Sequence, residues 1–200
     1  MILTIGREHG SNGHLIAAGL AEELGYRCYD KEIVDAAAEN SNFNKAILDS
    51  YDEKRISPYI SASPHMLGMN EGFRLTTQIA AAQFDAIRKL AEEGNSIFVG
   101  RCADYVLRRR EDLLRAFIMA PVEFRVRTMM ERRRLSEEQA RRLVKQVDKD
   151  RSSYYKYYTD QSWGEIGNYD ICINSACTGV DGAVMAIAGV VRAIEAKRAR

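Results

Sequence analysis

Residues 1–14 read MILTIGREHGSNGH and join an apolar run to a glycine-rich turn. The apolar run, residues 1–6, stops at a glycine, which predicts a short buried β-strand. Residues 11–24 then place leucine and isoleucine at helical spacing before Gly25, which predicts an α-helix. A buried strand followed at once by a helix indicates an α/β fold if the remaining chain repeats the pattern.

The remaining chain does repeat this alternation. Further strands are predicted at residues 26–30, 96–100, 114–120 and 169–175. Helices are predicted at residues 31–40 and 73–93, from the third strand to Arg110, after Pro121, and at residues 180–197. Strands that are apolar throughout and alternate with helices belong to parallel sheets covered on both faces. The sequence therefore predicts a single domain, residues 1–200, with a three-layer, doubly wound parallel sheet of five strands.

The composition is that of an ordinary globular protein, with 46% hydrophobic and 28% charged residues. These values exclude disordered, collagen-like and low-complexity classes. We expect no secretory signal and no membrane contact, because the longest apolar run is about half of a bilayer span. The four cysteines lack paired spacing, so we expect reduced thiols in a cytoplasmic protein.

Positive charge is concentrated in one part of a chain whose net charge is only +1. Residues 101–151 hold 15 Lys or Arg and 9 Asp or Glu, whereas the remainder holds 14 and 19. This concentration predicts a site for an anion, although a solvated helix pair with i,i+4 ion pairs would have the same composition. The near-neutral total argues against a nucleic-acid partner.

Two stretches interrupt the alternation of strands and helices. Residues 41–70 show weak periodicity and contain two prolines, which predicts an insertion or a flap. Residues 132–167 form a basic helical arm with an aromatic tail, and both stretches follow strands, where open parallel sheets place ligands. The tyrosines of the tail either stack on bases or pack the arm against the body or a second subunit of a homodimer: Tyr154, Tyr155, Tyr157 and Tyr158.

The glycine-rich turn after the first strand has the composition of an anion-binding loop. Gly10 and Gly13 permit positive φ angles and a close approach, and the following helix turns its N–H groups toward the turn. The Walker pattern GxxxxGK[ST] is not met, because His14 replaces its lysine and Leu15 its hydroxyl. The turn therefore either cradles phosphate or simply connects a strand to a helix.

A second candidate site follows the third strand, where residues 98–104 read FVGRCAD. Arg101 lies at the carboxyl end of a central strand, where its planar guanidinium can hold a phosphate through two hydrogen bonds. The alternative is an arginine paired with a carboxylate, Asp104 or Asp30. The arm adds more cations than one salt-bridged helix needs: Arg125, Arg132, Arg133, Arg134, Arg141, Arg142, Lys145, Lys149 and Arg151. Phosphoryl transfer requires such a clamp.

The order of these motifs resembles the cytidylate kinase-like family, nucleoside monophosphate kinases of the P-loop fold. The resemblance extends over essentially the whole chain. It is carried by TIGREHGSNG at residues 4–13, the Gly100-Arg101 pair, the sequence DKDR at residues 148–151, and INSACTG at residues 173–179. The family has GRD where this chain has Cys102 after Arg101, and DRDR where it has DKDR.

The resemblance implies an ATP-dependent kinase with Mg²⁺ carried mainly by the phosphate oxygens. Residues 41–70 would then be the acceptor-binding insert and residues 132–167 the lid. The loop residues Gly10, Ser11, Asn12, Gly13 and His14 would surround the donor phosphates, with Arg7, His14 or a residue of the arm supplying the charge of the missing lysine. Arg101 would hold the acceptor phosphate, with Asp30 at the mouth of the acceptor site, Asp150 on the acceptor sugar and Asp104 near its base. Lys149, Arg151 and Arg134 would act as catalytic cations of the lid.

Three functions remain open on the sequence. The first is a phosphotransferase that acts on a small-molecule nucleotide such as CMP or on a related phosphorylated acceptor. The second is a nucleotide-binding sensor without turnover, which the missing lysine favours. The third is a nucleic-acid binder that uses the arm and its tyrosines. No cluster of His, Cys, Asp or Glu has metal-ligand spacing, so no metal held by the protein itself is predicted.

Overall fold

The computed structural model describes residues 1–39 and 67–199. Five strands form one sheet: β1 Ile2–Arg7, β2 Arg27–Tyr29, β3 Ser96–Val99, β4 Leu113–Met119 and β5 Ile171–Asn174. The helices are α1 Gly13–Leu24, α2 Glu32–Glu39, α3 Leu67–Ala91, α4 Ala103–Val106, α5 Val122–Arg133, α6 Glu137–Thr159 and α7 Ser175–Arg198. The strand order is β2-β3-β1-β4-β5, and every pairing is parallel.

The sheet is buried on both faces, as its apolar strands predict. On one face, α1 and α7 pack over β1 and β4, and the helix residues Ile16, Leu20 and Ile187 are fully buried. On the other face, α3 packs through Ile87 and Ala91 onto the side chains of Ile2 and Phe98. The strand order changes direction between β3 and β1, and the carboxyl ends of these two strands therefore border a crevice.

The predicted elements are present, but several boundaries differ; the last helix, predicted at residues 180–197, begins at Ser175 and has a non-helical residue at Gly179. The helix predicted to run to Arg110 is the single turn α4, because the chain passes through left-handed conformations at Arg101 and Cys102 and then through turns. The helix predicted at residues 73–93 begins earlier, at Leu67. Of the insertion predicted at residues 41–70, residues 67–70 lie in α3 and residues 41–66 lie outside the described residues.

The basic arm is a hairpin of α5 and α6, so it begins about ten residues earlier than residues 132–167 predict. A capping box starts α6, in which the Ser136 hydroxyl accepts the Gln139 N–H and the Gln139 side chain accepts the Ser136 N–H. The tail of α6 packs on the body: Tyr154 and Tyr155 are buried and Tyr158 lies edge-on to Phe84. Tyr157 is exposed. Three of the four tyrosines therefore pack the arm against the body.

One helix among the described residues, α7, is long and apolar enough to cross a membrane by length and composition. Its residues Ala183, Ile187, Ala188 and Val191 are fully buried in the core beside α1 and the sheet. Core helices of soluble proteins can have the same length and composition, so α7 alone is weak evidence for a membrane span.

Candidate active site

The glycine-rich turn lies at the carboxyl end of β1 and is held against α5. Gly10 has a φ of 85°, and a Cβ built there would lie 2.7 Å from the Arg125 carbonyl oxygen. A Cβ on Gly13 would lie 2.5 Å from the Arg7 Cβ. Both positions require glycine, because a larger side chain would collide with these neighbouring atoms. The N-terminus of α1 therefore lies directly beside Arg7.

Gly10→Ala is expected to lower the free energy of unfolding by about 2–4 kcal/mol, because alanine meets both an unfavourable φ and a backbone oxygen. The control is Gly25→Ala, since Gly25 also has a positive φ, 66°, but nothing lies within 4 Å of its Cβ position. We expect this control to lose only about 1 kcal/mol. Urea unfolding measures both, and equal losses would contradict the close packing of the turn on α5.

Within the turn, side chains and backbone have different tasks. The Ser11 side chain points inward, where its hydroxyl donates to the carbonyl oxygens of Glu8 (2.9 Å) and Ile118 (3.0 Å). Asn12 adopts a left-handed conformation and accepts a hydrogen bond from Arg132. The first N–H groups of α1 have no partner inside the helix, and Gly13 and His14 face the cleft between the turn and the arm. Ser11 is fully buried and is not among the residues that line this cleft.

A cleft of about 250 Å³ lies between the turn, β2 and the arm. Its walls include the side chains of four arginines from three elements: Arg7, Arg132, Arg133 and Arg151. Its other residues are Glu8, His9, Gly10, Asn12, Gly13, His14, Asp30 and Met129. Arg151 of α6 also donates to the Arg7 carbonyl oxygen (3.0 Å), which fixes the arm to the end of β1. The cleft combines helix N–H groups with guanidinium groups, which is the donor set that phosphates need.

His9 reports the positive charge of this cleft. Burial is the largest cause that lowers its pKa, and the nearby guanidinium groups of Arg151, Arg133, Arg7 and Arg125 lower it further, to about 4. The imidazole is therefore neutral at pH 7. Its Nε2 atom is buried without a hydrogen-bond partner among the described residues.

The lowered pKa of His9 predicts a loss of stability in acid. Between pH 6.5 and pH 4 the unfolded chain binds a proton at His9 that the folded protein does not bind. The contribution of neutral His9 to the free energy of unfolding is therefore fully present above pH 6.5 and decreases as the pH falls toward 4. His9→Gln removes this titrating group. We therefore expect the urea midpoint of the wild type, relative to that of the variant, to decrease as the pH falls from 6.5 to 4. A constant difference would contradict the assignment.

Arg101 follows β3 in a strained segment. Gly100, Arg101 and Cys102 all have positive φ angles, of 76°, 53° and 55°. Such strain in residues other than glycine costs about 1–3 kcal/mol each and clusters at functional sites. The buried Arg101 guanidinium donates to Asp30 (3.0 Å), and Asp30 also pairs with His14 (2.9 Å). Of the two carboxylates that the sequence offers, Asp30 is thus the partner of Arg101.

Asp104 lies deeper, below the cleft. It is buried and accepts a hydrogen bond from the Tyr155 hydroxyl (2.6 Å), while burial raises its pKa. A cavity of about 20 Å³, enough for one water molecule, is lined by Asp104, Arg101 and the aromatic rings of α6 and the following loop. Asp104 therefore ties α6 to α4 and does not line the 250 Å³ cleft.

The arm residues predicted to be catalytic do not all reach the cleft. Arg151 lines it, whereas Lys149 is exposed and Asp150 pairs with Gln146 (2.9 Å) on α6. Arg134 is exposed at the left-handed end of α5 and is not among the lining residues.

A buried ionic cluster beside the turn was missed by the sequence analysis. The Asp148 Oδ1 accepts the His9 N–H (2.7 Å), and its other oxygen pairs with Arg125. Arg125 is 5% exposed and also donates to the carbonyl oxygens of Ala120 (2.9 Å) and His9 (3.3 Å). Glu8 completes the cluster, 3.3 Å from the Arg125 Nε. The turn is thereby bound to both arm helices.

A second cavity of about 230 Å³ adjoins the cleft and shares Asn12 and Arg132 with it. Its remaining residues, Phe124, Arg127, Thr128 and Glu131, belong to α5. An aromatic ring and an aliphatic stem at the end of a phosphate cleft suit a flat ring such as a base.

The residues of the cleft fit the phosphates of a nucleotide but not a magnesium ion bound by the protein. Magnesium in such loops takes a Ser or Thr hydroxyl, and Leu15 stands at that position. Glu8, Asp30 and Asp148 each pair with a protein cation, and the described ranges contain no group of three His, Cys, Asp or Glu that could hold a metal.

Comparison with known proteins gives one family and several solved structures. The sequence model of the cytidylate kinase-like family matches residues 2–176 of this chain. An uncharacterized protein from Eubacterium ventriosum ATCC 27560 is 34% identical, with a TM-score of 0.73 over 96% of this chain and 98% of that chain. No curated protein matches the sequence.

Two more distant structures show the fold. Shikimate kinase from Bacteroides thetaiotaomicron matches with a TM-score of 0.57 at 9% identity, over 96% of this chain and 98% of that chain. Deoxyadenosine kinase from M. mycoides, with the products dCMP and dCDP bound, matches with a TM-score of 0.52 at 12% identity, over 96% and 100%. They confirm the predicted three-layer, parallel fold of the P-loop kinases.

Proposed function

The chain belongs to the cytidylate kinase-like family, and on this premise we propose that it transfers a phosphoryl group from ATP to a nucleoside monophosphate, CMP or a related small phosphorylated acceptor. The observation that carries the proposal is the cleft at the carboxyl ends of β1 and β2, next to which Arg101 follows β3. It joins a glycine turn, the N-terminus of α1 and four guanidinium groups from three elements. The kinase-like family supports a phosphotransferase, and this donor set suits the phosphates on both sides of such a reaction.

The donor side of the proposal uses the turn and the arm. The backbone N–H groups of residues 13–15 and the side chains of Arg7 and Arg132 bind the phosphates of ATP, in place of the missing lysine. The base occupies the cavity beside α5, which shares Asn12 and Arg132 with the cleft. A nucleotide laid across the two cavities thus keeps its phosphates at the turn and its ring on Phe124.

The acceptor side uses Arg101 and Asp30. Asp30 lines the cleft and holds the buried guanidinium of Arg101. An acceptor phosphate binds by taking the place of the Asp30 carboxylate as the partner of Arg101, with His14 remaining available to Asp30. This exchange keeps the guanidinium paired before and after binding, so no buried charge is left without a partner.

The transfer itself requires no covalent intermediate with the protein. An acceptor oxygen attacks the terminal phosphorus of ATP in line, the bond from phosphorus to the bridging oxygen breaks, and ADP leaves. Arg7 and Arg151 lie at the boundary between the two sides and neutralise the charge that develops there. The hydrogen bond between them places the arm over the reacting groups, where it excludes water.

The test is ADP release from Mg–ATP with CMP, dCMP, UMP, AMP and GMP, beside a control without acceptor. We expect one pyrimidine nucleotide to stimulate release strongly over the control. ATP binding without stimulation by any of the five would refute this acceptor class. The reaction is run under reducing conditions, because the cysteines of the described residues are free thiols.

A second candidate function is a nucleotide sensor without turnover. The observation that favours it is Asp148, whose carboxylate occupies the His9 N–H of the turn, in a chain with no loop lysine. A sensor binds ATP and retains it unchanged over hours with or without acceptor. Single-turnover assays with radiolabelled ATP distinguish the two functions.

A further inference from the structure

The charge of a nucleotide has to be neutralised at this turn without the usual pair of a lysine and a magnesium-binding hydroxyl. His14 and Leu15 occupy their positions. The Leu15 side chain is 43% exposed in the first turn of α1 and offers no oxygen. The protein therefore contributes nothing at the position where a metal would normally be held.

The acidic residues around the cleft do not replace that oxygen. Glu8 accepts the Ala120 N–H (2.9 Å) and lies beside Arg125. Asp148 is bound by Arg125 and the His9 N–H, while Asp30 is bound by Arg101 and His14. A divalent ion would have to displace a guanidinium or imidazole from whichever carboxylate it used.

Positive charge is instead supplied by arginine. The four guanidinium groups of the cleft come from the end of β1, from α5 and from α6. Three of them, on Arg151, Arg133 and Arg7, lower the pKa of His9 in addition to the effect of burial. Guanidinium groups bind phosphate oxygens bidentately through their N–H donors and need no metal ion to do so.

We propose that this cleft binds a nucleoside triphosphate without magnesium, with Arg7, Arg132, Arg133 and Arg151 taking over the neutralisation of its phosphates. The inference rests on the proposed function in so far as that function assigns the cleft to the donor nucleotide. Since Mg²⁺ cancels part of the phosphate charge, a cleft of arginines attracts the metal-free nucleotide at least as strongly as the magnesium complex.

The experiment is isothermal titration of the full chain with ATP, once in EDTA and once in excess MgCl₂, without acceptor. We expect the Kd in EDTA to equal the Kd in magnesium or to lie below it. A Kd more than about tenfold weaker in EDTA would overturn this inference while leaving the proposed function intact. Absence of binding in both buffers would overturn the inference and the donor site together.

A double variant in the cleft and a control variant outside it test the role of the arginines. Arg132→Gln combined with Arg133→Gln is expected to weaken ATP binding in EDTA by about 10- to 100-fold, because two charged contacts are lost. The control, Arg88→Gln, removes an exposed arginine that pairs with Asp85 on α3, away from the cleft, and should leave the Kd unchanged. Both arm residues are exposed, so circular dichroism should show folded protein. Undiminished affinity of the double variant in EDTA would overturn the inference.

Discussion

Arg101→Ala is expected to lower kcat/KM for the nucleotide acceptor by about 100-fold while leaving the Kd for ATP within about threefold. The reason lies in the position of the guanidinium at the end of β3, under Asp30 and next to the cleft. It would bind the phosphate that attacks, whereas the donor phosphates contact the turn and the arm. Initial rates at varied acceptor concentration, with a separate titration of ATP, measure the two effects.

Arg101→Lys is the matched variant, because it keeps the charge but loses the planar fork. Lysine cannot donate to the Val99 carbonyl oxygen and also bind a phosphate bidentately, so we expect most of the loss in kcat/KM to persist. Stability is recorded in parallel, since Arg101 is only 3% exposed and its removal leaves Asp30 with His14 as partner. Equal losses of ATP binding and acceptor use would show that the residue is structural.

The fold could be predicted from the sequence because short local patterns indicate each of its strands and helices. Each strand is a short apolar run, and each helix has a stripe of apolar residues with a glycine or a capping residue at its end. The boundaries that were wrong depend on distant contacts. The helix after β3 ends at Val106, where turns follow, and α6 packs beside it through the hydrogen bond from Tyr155 to Asp104. No local pattern indicates that contact.

The candidate site was predictable only in part, for the same reason. Arg7, His14, Asp30 and Arg151 line the cleft, and the glycines of the turn predicted where it lies. Arg125 was predicted to be a cation of the phosphate clamp, but it is buried and paired with Asp148, and this pairing depends on burial between the turn and two helices. A signal was nevertheless present: Asp148 lies three residues before Arg151, so the two share a helix face, whereas Asp150 adjoins Arg151 and points elsewhere.

The different surroundings of Asp148 and Asp150 predict different effects on the free energy of unfolding. Asp148→Ala is expected to lower the free energy of unfolding by about 2–4 kcal/mol, because it removes the partner of the buried Arg125 guanidinium and of the His9 N–H. Asp150→Ala should cost less than about 0.5 kcal/mol, since only a contact with Gln146 on the surface of α6 is lost. Urea unfolding at pH 7 compares the two variants directly.

The same two variants separate stability from substrate binding. If Asp150 contacts the acceptor sugar, Asp150→Ala raises the KM for the acceptor while the unfolding curve stays in place. Asp148→Ala acts through the turn, so its loss of stability is accompanied by weaker ATP binding. An unfolding midpoint of Asp148→Ala that matches the wild type would show that the ionic cluster does not hold the turn. The arm and the donor site would then be independent of each other, because Asp148 is the side chain of α6 that bonds directly to the backbone of the turn.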